Sequence, residues 1–268
     1  MSESYYIHEG DGPFVAAAVH SGHEVRDELK PLLNLSEMER LREEDPYTDL
    51  LTEIAPSRIV GLRSRFEVDL NRERHLAVYK KPEDAWGLDV WKSPPGDEII
   101  SRSLENYDSF YTDVKEFLSS IISRYGYVVI YDLHTYNHRR DGPGAPPEGQ
   151  EGNPDVNLGT SNLDRGLWAP VVEGLAEDLR FFDFPGGKLD VRENVKFYGG
   201  AFSRWVNSTF GERSCTIAIE FKKFFMDEWT GRYDRELFNA IRQVLGKSVP
   251  GMLQRSRGVA AKFDEVAR

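Results

Sequence analysis

The chain of 268 residues has a single cysteine, Cys215. No internal disulfide can form, so packing and hydrogen bonds must hold the fold, and such low cysteine usage suits a reducing compartment. Long apolar runs are also missing. None reaches the roughly 18 residues a membrane-spanning helix needs. The first residues, MSESYYIHEGDG, lack the basic and apolar segments of a signal peptide. A soluble, cytoplasmic protein is expected. Positive charge is in deficit, with 34 Lys and Arg against 45 Asp and Glu and a net charge of −11. That balance disfavours nucleic acid and anionic membranes as partners, although a local arginine cluster could still bind a small anion. Repeats and low-complexity tracts are absent, and histidine is scarce, at six residues.

Hydrophobic residues make up 40% of the chain, enough for a sizeable core. At roughly 100–200 residues per domain, the length allows one large domain or two small ones. The nearest thing to a linker is RRDGPGAPPEGQEGNPD, residues 139–155. It reads as a loop within one domain, because chemistry-bearing segments flank it on both sides. Four short apolar runs predict buried strands: FVAAAV (14–19), RIVGL (58–62), YVVIYDL (127–133) and CTIAIEF (215–221). Helical patterns lie between them. Leu104, Tyr107, Tyr111, Val114, Leu118, Ile121 and Tyr125 step by three or four along one face, and Gly126 ends that helix. Asp234 predicts the N-cap of another, with Leu237, Ile241, Val244 and Leu245 on its buried side. YTDLLTEIA and GLWAPVVEGLAEDLRFF predict two more. The alternation gives an α/β fold with a central mixed, largely parallel sheet flanked by helices. Sites in such folds form beyond the carboxyl ends of strands.

Three strands end in chemistry-bearing side chains. The first ends in His20, the third in His134, and the fourth carries Glu220. In VHSGHE, Ser21-Gly22 is read as a turn that lets His23 reach the same centre as His20. His134 is preceded by Asp132, which could fix its tautomer. Three N/O ligands with one open position describe a catalytic zinc site. The alternative is that His20 and His134 are satisfied core residues. SRFEVDLNRER places Arg65, Asp69, Asn71, Arg72 and Arg74 within ten positions. This is either a solvated charged turn or a carboxylate clamp, with Arg72 as fork, Asn71 as amide and Asp69 orienting Arg72. Glu220 is the only charge in its strand. A buried carboxylate costs several kcal/mol unless it is paired or near a metal. It is either a structural ion pair or a general base that takes a proton from metal-bound water.

VHSGHE, SRFEVDLNR, VVIYDLHTYNHRR, PDVNLGT, FYGGAF and IAIEFKKFFMDE occur in this order over residues 19–228. The ordered set resembles the N-formylglutamate amidohydrolase family, within the wider zinc carboxypeptidase and aspartoacylase-like hydrolases. The resemblance implies a single α/β domain over residues 1–268 of the zinc-exopeptidase (phosphorylase/hydrolase-like) type. It also implies one zinc ion per chain and cleavage of an N-acyl amino acid amide. By position, His20 and His134 match histidine ligands, Asn71 and Arg72 match the residues that grip a substrate carboxylate, and Glu220 matches the catalytic glutamate. Where the pattern has a glutamate three residues after the first histidine, this chain has His23, with Glu24 next to it as the alternative ligand. Asp49 in YTD is a further candidate. Arg65 and Arg139 are expected to contact substrate, with His138 and Arg140 at the rim, and Glu67 stands where an apolar residue is expected. The substrate implied is a small acidic N-acyl amino acid. A peptide-cleaving metallo-carboxypeptidase or amidase, and a non-catalytic binding protein for an acidic metabolite, are the alternatives.

Overall fold

The computed structural model describes residues 3–266, so two residues at either end of the expected domain lie outside it. Its seven strands are β1 (Tyr5–His8), β2 (Phe14–Ala18), β3 (Ser57–Gly61), β4 (Val128–Tyr136), β5 (Val156–Gly159), β6 (Val191–Glu193) and β7 (Ser214–Lys222). They form one sheet in the order β1-β3-β2-β4-β7-β5-β6. β3, β2, β4 and β7 run parallel. β1 lies antiparallel on β3 at one edge. At the other, β5 runs antiparallel to β7 and carries β6 parallel to itself. The sheet is mixed and largely parallel, as the alternation of strand and helix patterns implied.

The helices are α1 (Glu37–Glu43), α2 (Thr48–Leu51), α3 (Asp97–Tyr125), α4 (Ala169–Phe181), α5 (Ala201–Phe210) and α6 (Arg235–Val266). Strand side chains alternate between the faces of a sheet. Phe14 and Ala16 of β2 therefore join the core built with α4 and α6, while Val15 and Ala17 join the core built with α3 and α5. Phe110, Val114, Leu118 and Ile121 present the apolar face of α3 to this second core and are fully buried. Each such side chain contributes on the order of 1.5–3 kcal/mol relative to exposure. Gly126, at φ 82°, ends α3 in the left-handed conformation and returns its N–H to the Ile122 carbonyl. At the start of α6, the Asp234 carboxylate accepts hydrogen bonds from the N–H groups of Glu236 and Leu237. No helix of the described residues is long and apolar enough to cross a membrane.

Two connections position the site. A long segment between β3 and α3 folds over the carboxyl end of β3. It packs Phe66, Tyr79, Ala85 and Val90 against Val25, Leu29, Leu33 and Leu35 in a third, smaller core. The segment after β2 does not turn at Ser21-Gly22. It runs extended beside the chain leaving β3, with Glu24 bridged to Arg63 and Glu24 N donating to Leu62 O at 3.2 Å. Gly22 makes this close passage possible, because a Cβ there would lie 2.3 Å from the Leu62 carbonyl carbon. All three atoms that Cβ would clash with, Leu62 C, Arg63 N and Arg63 O, are backbone. Gly22→Ala should therefore cost about 1–3 kcal/mol or more by overpacking. Urea unfolding measures the change, and an unshifted midpoint would contradict the close approach.

Candidate active site

The strand alternation that builds the two cores also builds the site. Along β4, Val129, Tyr131 and Leu133 face α4 and α6, whereas Val128 and Ile130 face α3 and α5. With a period of two, Asp132 and His134 follow Ile130 on the α3/α5 side. In β7, Cys215, Ile217, Ile219 and Phe221 face α4 and α6, which leaves Glu220 on the opposite side. Glu220 is the register partner of His134 on the adjacent parallel strand. His20 lies just past the end of β2, at the same carboxyl edge of the sheet.

Asp45, in the turn between α1 and α2, closes the group. Its backbone N–H donates to the His20 carbonyl at 3.0 Å. Its Oδ2 lies 2.9 Å from His134 Nδ1 and 3.5 Å from His20 Nδ1, and Thr135 Oγ1 donates to its Oδ1 at 3.2 Å. One ligand atom from each of His20, Asp45 and His134 lies within 4.8 Å of the others, and all three residues are buried. In each imidazole Nδ1 faces Asp45, while Nε2 faces another carboxylate. His20 Nε2 is 2.6 Å from Asp69 Oδ1, and His134 Nε2 is 3.0 Å from Asp132 Oδ1. A carboxylate behind each ring fixes tautomer and ring orientation, as in carboxylate–histidine–metal arrangements. Asp132 is wholly buried, and no aligned hydrogen-bond donor reaches either of its oxygens. Two imidazole nitrogens, one carboxylate and an under-satisfied anion behind them form a donor set that fits a divalent cation, zinc included.

Charge sets the protonation states. Burial alone would depress the His134 pKa, but Asp132 and Asp45 outweigh it and hold it well above the ordinary imidazole value. Burial would raise the Asp69 carboxyl. Arg65 Nη2, at 2.8 Å, and His20 instead hold it well below the ordinary range. Asp69 Oδ2 also accepts from the Tyr79 hydroxyl, and Asp69 Oδ1 accepts from Asn71 N at 2.8 Å. Glu220 behaves differently. Burial first, and then Asp45 and Asp132 against the opposing pull of His134, push its pKa up to about 8. No hydrogen bond reaches its side chain among the described residues. Lys223 is buried on the same wall and donates to the carbonyls of Arg42 at 2.6 Å and Glu44 at 2.8 Å.

A cavity of about 190 Å³ opens over this group. Arg65, Asn71, Trp86, Asn137, Arg140, Tyr198 and Lys223 line it, together with His20, Asp45, His134 and Glu220. Residues 12–226 match the N-formylglutamate amidohydrolase family. The chain belongs to that family. Its fold is similar to that of N-formylglutamate amidohydrolase from Ralstonia eutropha JMP134, with a TM-score of 0.71 and 18% identity over 95% of this chain and 97% of that one. It is also similar to a gene product of Agrobacterium tumefaciens, with a TM-score of 0.62 and 16% identity over 94% and 96% of the two chains. No curated protein matches it.

Within this family member, the residues expected from sequence fall into two sets. His20, His134, Glu220, Asn71 and Arg65 meet at the cavity. His23, Glu24, Asp49, Arg72 and Arg139 do not. His23 Nδ1 pairs with Glu44 Oε2 at 2.5 Å and faces a separate open hollow. Three residues of extended chain span about 10 Å, against one turn on a helix, and His23 is not among the ligand-type side chains gathered at His20. Glu24 is exposed and held by its backbone. Asp49 lies within α2, and the carboxylate that reaches the histidines is Asp45, four residues earlier. Arg72 lies over the rings of Tyr79 and Trp86, with its Nε 3.8 Å from Asp69, so Asp69 is spent chiefly on His20 and Arg65. Arg139 is exposed and borders a neighbouring hollow, where its carbonyl accepts from Trp229 Nε1. His138 is buried against Glu228 rather than free at the rim. Glu67, where an apolar residue was expected, is buried and holds Arg26 through its backbone and its guanidinium.

Asn71 also links the cavity to α5. Its Oδ1 accepts from Phe202 N at 2.9 Å, its carbonyl accepts from Ala201 N, and its Nδ2 lies 3.4 Å from His134 Nε2. It caps the N-terminus of α5 and ties that helix to the histidine. Asp45, Asn137, Trp86 and Lys223 escaped the sequence reading. The acidic run before Pro46 was the one available signal for Asp45.

The raised pKa of Glu220 has a thermodynamic consequence. Between the ordinary value of 4.5 and about 8, the folded metal-free chain holds a proton that the unfolded chain has released. The associated stability is present below 4.5 and is lost as pH rises through about 8. Melting temperatures of the metal-free wild type at about pH 5 and about pH 9 should therefore fall more steeply than those of Glu220→Gln. Parallel pH profiles for the two proteins would count against the shift.

Proposed function

We propose that this chain is a zinc-dependent hydrolase that cleaves the amide bond of a small acidic N-acyl amino acid such as N-formylglutamate, acting in the cytoplasm. The observation that carries this reading is the His20–Asp45–His134 group beside Glu220 in one buried cavity. Family membership supports amide hydrolysis as the reaction type.

His20 and His134 would hold the zinc through the nitrogens that face Asp45, and Asp45 would supply the carboxylate. Asp69 and Asp132 would orient the two rings. When bound, zinc supplies Lewis acidity, polarising the amide carbonyl and making a water acidic enough to attack near neutral pH. Glu220 then serves as the proton carrier. Its carboxylate takes a proton from the attacking water and delivers it to the leaving nitrogen. A nearby cation favours the ionised form of a buried carboxylate, which would bring Glu220 into use as a base near pH 7. Arg65 and Lys223 bring positive charge into the lining of the cavity, which suits an acidic substrate.

Glu220→Gln keeps the shape and removes the base. In zinc-loaded protein it should lower kcat on N-formyl-L-glutamate by about 10²–10⁴-fold and leave zinc content unchanged. Undiminished turnover would remove Glu220 from the mechanism. Metal analysis after zinc loading separates the candidate ligands. Asp45→Ala should lose bound zinc, whereas His23→Ala should keep one ion per chain. The reverse pattern would return His23 to the metal.

A further inference from the structure

Asn137 follows the last residue of β4 and is 3% exposed. It lines the cavity over the histidines and also an adjoining hollow of about 80 Å³, and the two spaces share Glu43, Trp86, Asn137 and Arg140. Its amide oxygen is buried without a hydrogen-bond partner. A buried amide left unsatisfied costs about 1–3 kcal/mol, so native proteins rarely leave one without a reason. The backbone beside it is firmly held. Glu228 accepts from His138 N at 2.7 Å and Arg139 N at 3.2 Å, and the His138 carbonyl accepts from Glu148 N at 2.7 Å. The side chain is therefore presented to the cavity from a fixed frame. Arg140, three residues on, has one loose ion pair at 3.6 Å, to Glu43.

Of the Asn–Arg pair read from the sequence motif, Asn71 lines the cavity with its amide oxygen bonded to Phe202 N, and Arg72 lies outside the lining. Asn71 caps α5, and Arg72 stacks beyond the cavity wall. Asn137 and Arg140 are a second pair of the same chemistry, and both face the cavity.

We propose that Asn137 and Arg140 read the amino-acid half of the substrate. The Asn137 amide oxygen accepts the N–H of the scissile amide, while its NH₂ group and the Arg140 guanidinium take the α-carboxylate. An N-acyl α-amino acid carries that donor and that anion on the same α-carbon, and a carboxamide offers an acceptor and a donor side by side. The assignment rests on the hydrolase reading above and adds to it the part of the substrate that is recognised.

The test uses zinc-loaded, full-length protein and three substrates: N-formyl-L-glutamate, its N-methyl analogue without the amide N–H, and its α-carboxamide analogue without the α-carboxylate. Wild type should prefer the parent over each analogue by about tenfold or more in kcat/KM, the worth of one or two hydrogen bonds. Asn137→Leu should lose about tenfold on the parent, mostly in KM, and should no longer distinguish the N-methyl analogue. Arg140→Gln should no longer distinguish the α-carboxamide. Asn137→Leu replaces an unpartnered amide by an apolar group of similar shape, so its melting temperature should equal or exceed that of wild type. Asn137→Asp, which keeps the acceptor and adds a negative charge, should reject the parent more strongly than Asn137→Leu does. If wild type hydrolyses the parent while Asn137→Leu keeps both its kcat/KM and its discrimination, this assignment fails and the hydrolase reading stands. A melting temperature of Asn137→Leu well below wild type would reveal a protein partner for the amide and also overturn it. A zinc-loaded wild type that hydrolyses none of the three overturns the hydrolase reading and this assignment with it.

Discussion

Asp45, Asp69 and Asp132 are buried around two imidazoles, and Glu220 sits beside them. Burying a charge without compensation costs several kcal/mol, so each carboxylate must find positive charge or protons close by. Asp69 is satisfied within the protein, by His20, Arg65, Tyr79 and the N–H of Asn71. Asp45 has the Nδ1 atoms of both imidazoles close to its Oδ2. Asp132 has the His134 ring alone, and Glu220 responds by favouring its protonated form. A proton and a metal ion compete for the same imidazole nitrogens. The raised pKa of His134 and the metal-binding capacity of the group therefore have one electrostatic origin.

The sheet concentrates these groups through its period of two. On the α3/α5 face of β4, Val128 and Ile130 give way to Asp132 and His134, and beside them on β7 Glu220 follows Ala218 on the same side. The other face stays apolar along β7 as far as Phe221, so α4 and α6 retain a continuous core. α5 approaches the polar end because Asn71 caps it, and Asn207 on the same helix exchanges hydrogen bonds with the backbone of Thr216. At the next register step, Asn157 of β5 pairs with Glu220. Its side chain accepts from Val195 and Lys196 and donates to the Phe197 carbonyl, which fixes the loop carrying Tyr198 to the cavity rim.

Much of this was legible in the sequence, because burial and periodicity leave a local record. FVAAAV, YVVIYDL and CTIAIEF mark three central strands to within a few residues, and each leads to a polar side chain that the parallel register brings together. His134 lies inside β4 rather than after it. The apolar run stops at Leu133, but the ladder to β7 continues to Tyr136. Asp45 and Asn137 were not legible. Each sits in an irregular connection where no period applies, and what singles each out is a partner far away in sequence or the lack of one. His23 misled for a related reason. A spacing of three means proximity on a helix or a sharp turn, but it means about 10 Å along the extended path that Gly22 and the Leu62 backbone impose.

The same extended path explains why the site recruits a carboxylate from elsewhere in the chain. Glu44 and Asp45 are consecutive, and both are buried. Glu44 turns toward His23, Ser64 and Arg40, and Asp45 turns toward His20 and His134. Consecutive side chains in extended backbone point to opposite sides, so one acidic dipeptide serves His23 on one side and the two cavity histidines on the other. Held by Glu44, His23 stays outside the cavity and helps to anchor the turn, while the Asp45 N–H bonded to the His20 carbonyl locks the carboxylate in reach of both rings. The position of the Asp45 carboxylate is thereby set by tertiary contacts between the α1–α2 turn and the end of β2. His23, at the motif position, can then take a structural role without disturbing the His20–Asp45–His134 group.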